Sequence, residues 1–221
     1  SASVVARCLE AVNVDRVIVY DLHAGQIAGF FSNKCPLDNL YVEPYFIRYI
    51  ENNILKNLTK EDIVIVAPDE GAVKQTVRVS SRIGCSAATI FKSRNKANSI
   101  GTMMLMGDVK DKCAILVDDL IDTAGTACKA CEVLKENGAK DVYMLACHGL
   151  FSEPAPQRLK ESKFTKIIVS NTLPIKNDEI KNLDIIETID VSWLCSEAIR
   201  RQVEGKSLNE LYDSGEFNQY N

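Results

Sequence analysis

The chain has 221 residues, of which 46% are hydrophobic and 25% charged, and a formal net charge of −4. Those values are those of an ordinary soluble globular protein of one to two domains. The acidic balance argues against a general nucleic-acid binder, which needs a basic footprint, and the apolar runs fall well short of a bilayer span. A soluble, cytoplasmic protein with neither nucleic acid nor membrane as partner is therefore expected. The eight cysteines (Cys8, Cys35, Cys85, Cys113, Cys128, Cys131, Cys147, Cys195) are scattered through strand and helix patterns and predict free buried thiols. Cys128 and Cys131 form a C-x-x-C, but with no second Cys/His pair nearby an apolar helix face is the better reading than a zinc or redox site.

In chain order, Val4, Val5, Cys8, Leu9 and Val12 fall on one face and predict a helix over Ser1–Val12, capped by Ser1 or Ser3. Val17–Tyr20 reads as a parallel strand with Asp21-Leu22-His23-Ala24 at its end. Phe30, Phe31, Pro36, Leu37 and Leu40 predict a loop packed on an apolar surface, and Pro44 starts a helix through Leu55. Asp62–Asp69 predicts a strand ending in a carboxylate. Gly71 then permits a tight turn into a helix that Gly84 stops. Asp69 taken alone is best read as the cap of that helix. Ser86–Phe91 is a third strand, followed by the polar, basic loop Lys92–Asn98. Such a loop is usually a solvated surface, but this one leaves the same sheet edge as Asp69 and supplies the cations the acidic residues lack. Met103–Met106 and Cys113–Val117 predict two strands about the turn at Gly107–Lys110.

The stretch after Val117 carries the most chemistry. Asp118 and Asp119 follow a buried strand. Asp122, Thr123, Gly125 and Thr126 come next, then a helical pattern over Ala127–Asn137 that Gly138 stops. In open α/β sheets ligands bind at that edge, and a helix N-terminus offers unpaired N–H groups to an anion. The threonine hydroxyls and Gly125 suit a loop that wraps a phosphate. Asp118 and Asp119, themselves anionic, suit the vicinal hydroxyls of a sugar or a hydrated Mg²⁺. Together they predict a ribose-phosphate cradle. Beyond it, Asp141–Cys147 reads as a parallel strand followed by His148, taken as structural. Ile167–Ser170 and Ile185–Ile189 read as strands, Val191–Glu204 as an amphipathic helix, and the tail from Ser207 as a docking segment. Strands alternating with helices predict an α/β fold with a largely parallel sheet.

The run from Val117 to Thr126 closely resembles the phosphoribosyl-diphosphate-binding loop of type I phosphoribosyltransferases. Its form is most similar to that of the ribose-phosphate diphosphokinase, or phosphoribosyl-diphosphate synthetase, family. The segment Asp21–Phe31 resembles the family segment whose histidine contacts ATP and its metal, and Pro36–Tyr41 resembles the family's hinge. Two positions depart from the pattern: Ser32 stands where an acidic residue often follows the paired phenylalanines, and Ala72 where a second glycine is usual.

The resemblance implies a phosphoribosyltransferase-like parallel-sheet fold. It places the last portion of an amino-terminal lobe at residues 1–45 and a complete carboxyl-terminal lobe at 46–221, with the family's amino-terminal segment not among these residues. The implied reaction moves the diphosphoryl group of ATP to the 1-hydroxyl of ribose 5-phosphate, giving phosphoribosyl diphosphate and AMP, with Mg²⁺ as cofactor. By the same resemblance Asp122, Thr123, Ala124, Gly125 and Thr126 would hold the 5-phosphate and Asp118 and Asp119 the ribose hydroxyls. His23 would contact ATP; Asp21, His23 and Asp69 would lie at the metal; Lys92 and Arg94 would be catalytic. A homo-oligomer, in the family a hexamer built from dimers, is implied as well. No Walker loop is present to hold ATP. Two alternatives share the loop, a type I phosphoribosyltransferase and a non-catalytic subunit of the synthetase. A dinucleotide-binding domain is disfavoured because no G-x-G-x-x-G follows a strand. These residues alone are expected to bind ribose 5-phosphate and to turn over negligibly.

Overall fold

A computed structural model describes residues 2–93 and 102–213. In chain order the elements are α1 (Ala2–Ala11), β1 (Val17–Tyr20), β2 (Leu37–Leu40), α2 (Glu43–Tyr49), β3 (Ile63–Ala67), α3 (Val73–Ile83), β4 (Ser86–Ser93), β5 (Thr102–Met106), β6 (Cys113–Ile121), α4 (Gly125–Glu136), β7 (Asp141–Gly149), α5 (Ala155–Lys160), β8 (Lys166–Ser170), α6 (Asp178–Lys181), β9 (Ile186–Ile189), α7 (Ser192–Val203) and α8 (Asn209–Asp213). The chain divides into two units, Ser1–Pro44 with Val191–Asn221, and Tyr45–Asp190.

In the first unit β1 and β2 pair in parallel, with Val17 opposite Leu37 and Tyr20 opposite Leu40. The predicted packed loop is thus in part a strand. Leu37-Asp38-Asn39-Leu40 has neither alternation nor a continuous apolar run, so only the pairing with β1, which satisfies its backbone groups, reveals it. The helices of this unit are tied to it by polar contacts. Gln202 Nε2 donates to Asp38 Oδ2 (2.7 Å), which Arg16 also reaches (2.6 Å). The Tyr41 N–H donates to Tyr212 Oη (2.9 Å). Within α7, the buried Arg201 donates to Glu197 Oε1 (2.8 Å) and to the Ser207 carbonyl (3.0 Å). Arg200 also donates to Glu197 from Nε (2.7 Å) and Nη2 (2.6 Å), so two guanidinium groups share that carboxylate.

The second unit is built on a seven-stranded sheet of order β5-β4-β3-β6-β7-β8-β9, parallel except for the antiparallel edge strand β5. Ile63–Ala67 and Cys113–Val117 are wholly buried, as continuous apolar strands covered on both faces should be. α4 buries Ala127, Ala130, Cys131, Val133 and Leu134, spaced as one helical face. α3 buries Thr76, Val79, Ser80 and Ile83 and ends at Gly84, whose φ of 81° suits a left-handed cap. The short helices α5 and α6 were not predicted, being too brief to show a helical period.

β5 pairs with β4, Phe91 opposite Met104, so the turn after Met106 leads across to the centre of the sheet. One strand boundary needs correction. β6 runs past Val117 to Ile121, because Asp118, Leu120 and Ile121 still find ladder partners in Ala146, His148 and Gly149 of β7. Asp118 and Asp119 therefore lie within the strand.

Strand order fixes where a ligand would bind. From β3 the chain moves outward through β4 and β5, then returns to the other side of β3 as β6 and continues through β7, β8 and β9. The order reverses between β3 and β6, and the crevice beyond the carboxyl ends of those two strands is the switch point at which such sheets bind ligands.

Gly107, after β5, has φ of 119°, and a Cβ on it would lie 2.7 Å from Ala88 Cβ and 3.0 Å from Ala88 Cα. Left-handed strain and a backbone clash combine, so Gly107→Ala is expected to cost about 2–4 kcal/mol in chemical denaturation.

Among the described residues no helix is long and apolar enough to cross a membrane.

Candidate active site

β3 ends at Ala67 and β6 lies beside it, Val66 opposite Leu116, so both strands deliver their following residues to the same sheet edge. From β3 comes Asp69. Its Oδ1 accepts the Gly71 N–H (2.9 Å), capping the short turn Glu70–Ala72 before α3. The capping role expected of a lone aspartate falls on this turn and not on α3, whose N-cap is Ala72. From β6 come Asp118 and Asp119, and the Asp119 N–H donates to Asp118 Oδ1 (2.9 Å). Burial foremost, then the bond with and charge of Asp119 and the charge of Asp69, push the Asp118 carboxyl well above the usual carboxylate range. A carboxyl so placed is relieved by a hydroxyl donor or a cation.

The chain then turns through exposed Asp122 and Thr123 to the buried Ala124 and enters α4 at Gly125. Ala124 adopts a left-handed φ of 58°, a conformation that costs a non-glycine residue about 1–2 kcal/mol. Its carbonyl accepts the Cys128 N–H (2.9 Å), so the N–H groups of the residues before Cys128 have no carbonyl a full turn back within the helix. These donors and the positive end of α4 lie next in the chain to Asp118 and Asp119. The arrangement offers donors for an anion beside acceptors for hydroxyls.

Two neighbours support the turn. The Leu150 and Phe151 N–H groups both donate to the Ile121 carbonyl (2.9 and 3.3 Å), with Phe151 itself at φ 52°. Arg158 on α5 donates from Nη1 to the Thr123 carbonyl (2.9 Å). No sequence pattern pointed to Arg158, which sits in a short segment between prolines and lysines with no helical period.

Lys92 belongs to β4, its backbone opposite Met103, and Arg94 lies outside the described residues. In the first unit Asp21 follows β1 with φ of 35° and is 7% exposed; its N–H donates to the Leu40 carbonyl (2.8 Å) and its Oδ2 accepts the Val42 N–H (3.1 Å). His23 follows, exposed, after Leu22, whose N–H donates to Asn39 Oδ1 (3.1 Å). His148 lies within β7 with Nδ1 2.9 Å from Thr172 Oγ1. Burial pushes the Cys128 thiol up to about 11 and the Cys131 thiol up to about 12, so neither is a thiolate near neutral pH.

The oxygen donors Asp69, Asp118 and Asp119 suit a hard divalent cation. Among the described residues no three His, Cys, Asp or Glu side chains gather into a cage. Mg²⁺ is one cation such carboxylates could hold, together with waters and substrate phosphates.

The sheet, its switch point and the strand-loop-helix at Asp118–Thr126 define a phosphoribosyltransferase-like α/β protein. A family model described as phosphoribosyl synthetase-associated domain matches residues 85–213, and the chain belongs to that family. Ribose-phosphate pyrophosphokinase A of Dictyostelium discoideum is 44% identical over 212 residues, covering 96% of this chain and 64% of the relative. The crystal structure of phosphoribosylpyrophosphate synthetase from Mycobacterium smegmatis superposes with a TM-score of 0.82 at 37% identity, over 92% of this chain and 64% of that one. The chain thus spans 64% of the length of both relatives.

Proposed function

We propose that the chain is the larger part of a ribose-phosphate diphosphokinase that converts ATP and ribose 5-phosphate to AMP and phosphoribosyl diphosphate. The observation that carries this reading is the Asp118–Thr126 loop, with a half-buried carboxyl pair and a helix N-terminus next to each other in the chain at the switch point of the sheet. The names of the two relatives agree with it.

In this reading Thr123–Thr126, with Asp122 preceding them, hold the 5-phosphate through hydroxyls and helix-terminal N–H groups. Asp118 and Asp119 accept hydrogen bonds from the ribose hydroxyls, which orients the 1-hydroxyl. That oxygen forms a bond to the β-phosphorus of ATP while the bond from the β-phosphorus to the α,β-bridging oxygen breaks; AMP departs with the bridging oxygen, and the hydroxyl proton passes to solvent. Such transfers depend on alignment and on charge neutralisation more than on covalent chemistry by the protein. Lys92 and Arg94 supply positive charge to the transferring group. His23 is assigned to ATP and its metal, and Asp69 to the metal beside the ribose. Asp21, buried and bonded through Oδ2 to the Val42 N–H, is assigned with His23 to that metal. Mg²⁺, when bound, supplies further neutralisation of the phosphates. A cytoplasmic homo-oligomer, with residues 1–45 as the end of an amino-terminal lobe and 46–221 as the carboxyl-terminal lobe, completes the proposal.

The test is AMP release from Mg-ATP and ribose 5-phosphate, measured on the full-length protein and on the present 221 residues. The full-length protein is expected to turn over. The 221 residues are expected to bind ribose 5-phosphate by calorimetry but to release AMP at least about a hundredfold more slowly, because a misplaced diphosphate forfeits the proximity advantage. No AMP from the full-length protein would refute the reading.

A further inference from the structure

The first helical residue of the loop is a glycine that its backbone does not require. Gly125 is helical, and unlike Gly107 it has no positive φ. Its bare face is occupied instead: a Cβ there would lie 3.0 Å from Arg158 Nη1 and 3.7 Å from Arg158 Cζ. The same Nη1 donates to the Thr123 carbonyl at 2.9 Å. Arg158 is held in turn at its own backbone, whose carbonyl accepts from Cys128 Sγ on α4 (3.6 Å). The guanidinium therefore fills the space that the glycine leaves open and engages the one carbonyl that precedes the left-handed Ala124.

A trans peptide points its C=O and its N–H in opposite directions. A donor that holds the Thr123 oxygen on the α5 side thus turns the Ala124 N–H away from α5. Ala124 sits at φ 58°, a conformation an alanine leaves unless its surroundings hold it there. The guanidinium also adds a full positive charge within contact of the first turn of α4, where the helix already presents a partial one.

We propose that Arg158 is a positioning residue for the ribose-phosphate loop: through the Thr123 carbonyl it aims the Ala124 N–H at the 5-phosphate, and Gly125 is the residue that admits it. This rests on the reading of Asp118–Thr126 as the ribose-phosphate loop. Arg158 touches the loop and not the reacting atoms, so its effect falls on capture of the sugar phosphate and spares the transfer step.

The test uses the full-length protein with ribose 5-phosphate and Mg-ATP. Arg158→Ala is expected to raise KM and the calorimetric Kd for ribose 5-phosphate about tenfold, with kcat within about twofold and KM for ATP unchanged. Arg158→Lys, which keeps a charged donor, is expected to restore the affinity to within about threefold of the parent. Gly125→Ala is expected to weaken the parent but to add little in the Arg158→Ala background, since both remove the same contact. Thermal unfolding of the exposed Arg158 variants is expected to match the parent, which separates positioning from a folding defect. Thr126→Ala serves as the reference for the loop. If Thr126→Ala weakens ribose 5-phosphate binding and Arg158→Ala leaves it within about twofold, Arg158 does not position the loop although the loop reading stands. An equal loss for ATP and ribose 5-phosphate in Arg158→Ala would also overturn the proposal. If neither substitution affects ribose 5-phosphate, the loop reading fails and the role of Arg158 falls with it.

Discussion

Replacing Lys92 by alanine in the full-length protein is expected to lower kcat about a hundredfold or more while moving KM for either substrate by less than about threefold. Lys92 lies near the carboxyl end of β4, the strand next to β3 on the side away from β6, so it belongs to the edge that also bears Asp69, Asp118 and Asp119. That edge is strongly acidic, and the group transferred in the proposed reaction is anionic. The positive charge that matters is the one that meets the transferring phosphates when their charge is redistributed, and a contact made mainly in the transition state appears in kcat. Steady-state AMP release with each substrate varied in turn checks this. A large rise in KM at unchanged kcat would make Lys92 a ground-state binding residue, and unchanged kinetics would leave it a surface lysine.

The parts of this fold that were legible in the sequence are those whose signal is local. Cys113–Val117 announces a strand because burial on both faces demands an unbroken apolar run, and its continuation through Asp118 and Asp119 is hidden because two charges end that run while the ladder to Ala146 and His148 does not end. Leu37–Leu40 likewise becomes a strand only through its partner β1. The turn at Gly107 is plain, but not which strand Met103–Met106 joins, since pairing partners are non-local. The loop from Asp118 to Thr126 is contiguous and so could be read whole. Asp69 could be read only as a cap, and its place beside the loop follows from the adjacency of β3 and β6. The left-handed Ala124 and the reach of Arg158 from α5 to Thr123 leave no mark on the sequence, because alanine does not advertise that conformation and the arginine lies 35 residues away.

Asp118→Asn is expected to make the ligand-free protein more stable and the loop a poorer binder. Burial, Asp119 and Asp69 raise the Asp118 carboxyl above its unfolded value, so the folded state holds its proton more tightly than the unfolded chain does. The stability this group contributes is complete below the unfolded carboxylate value and is lost as the pH rises through the raised folded value. Above that point a partly desolvated charge stands near carboxylates of the same sign, and asparagine removes it without changing the size of the side chain. Chemical denaturation in the presence of a metal chelator is therefore expected to show little difference from the parent at about pH 4 and a gain of about 1–3 kcal/mol for the variant at pH values above the raised one. Ribose 5-phosphate affinity is expected to fall about tenfold or more in the same variant, because a charged acceptor for the sugar hydroxyls is exchanged for a weaker neutral one. Stability and binding would then move in opposite directions from a single substitution, as they do where a site is kept at the expense of the fold. A stability difference that does not change with pH would show that the Asp118 carboxyl is not raised, and undiminished ribose 5-phosphate binding would remove it from the sugar site.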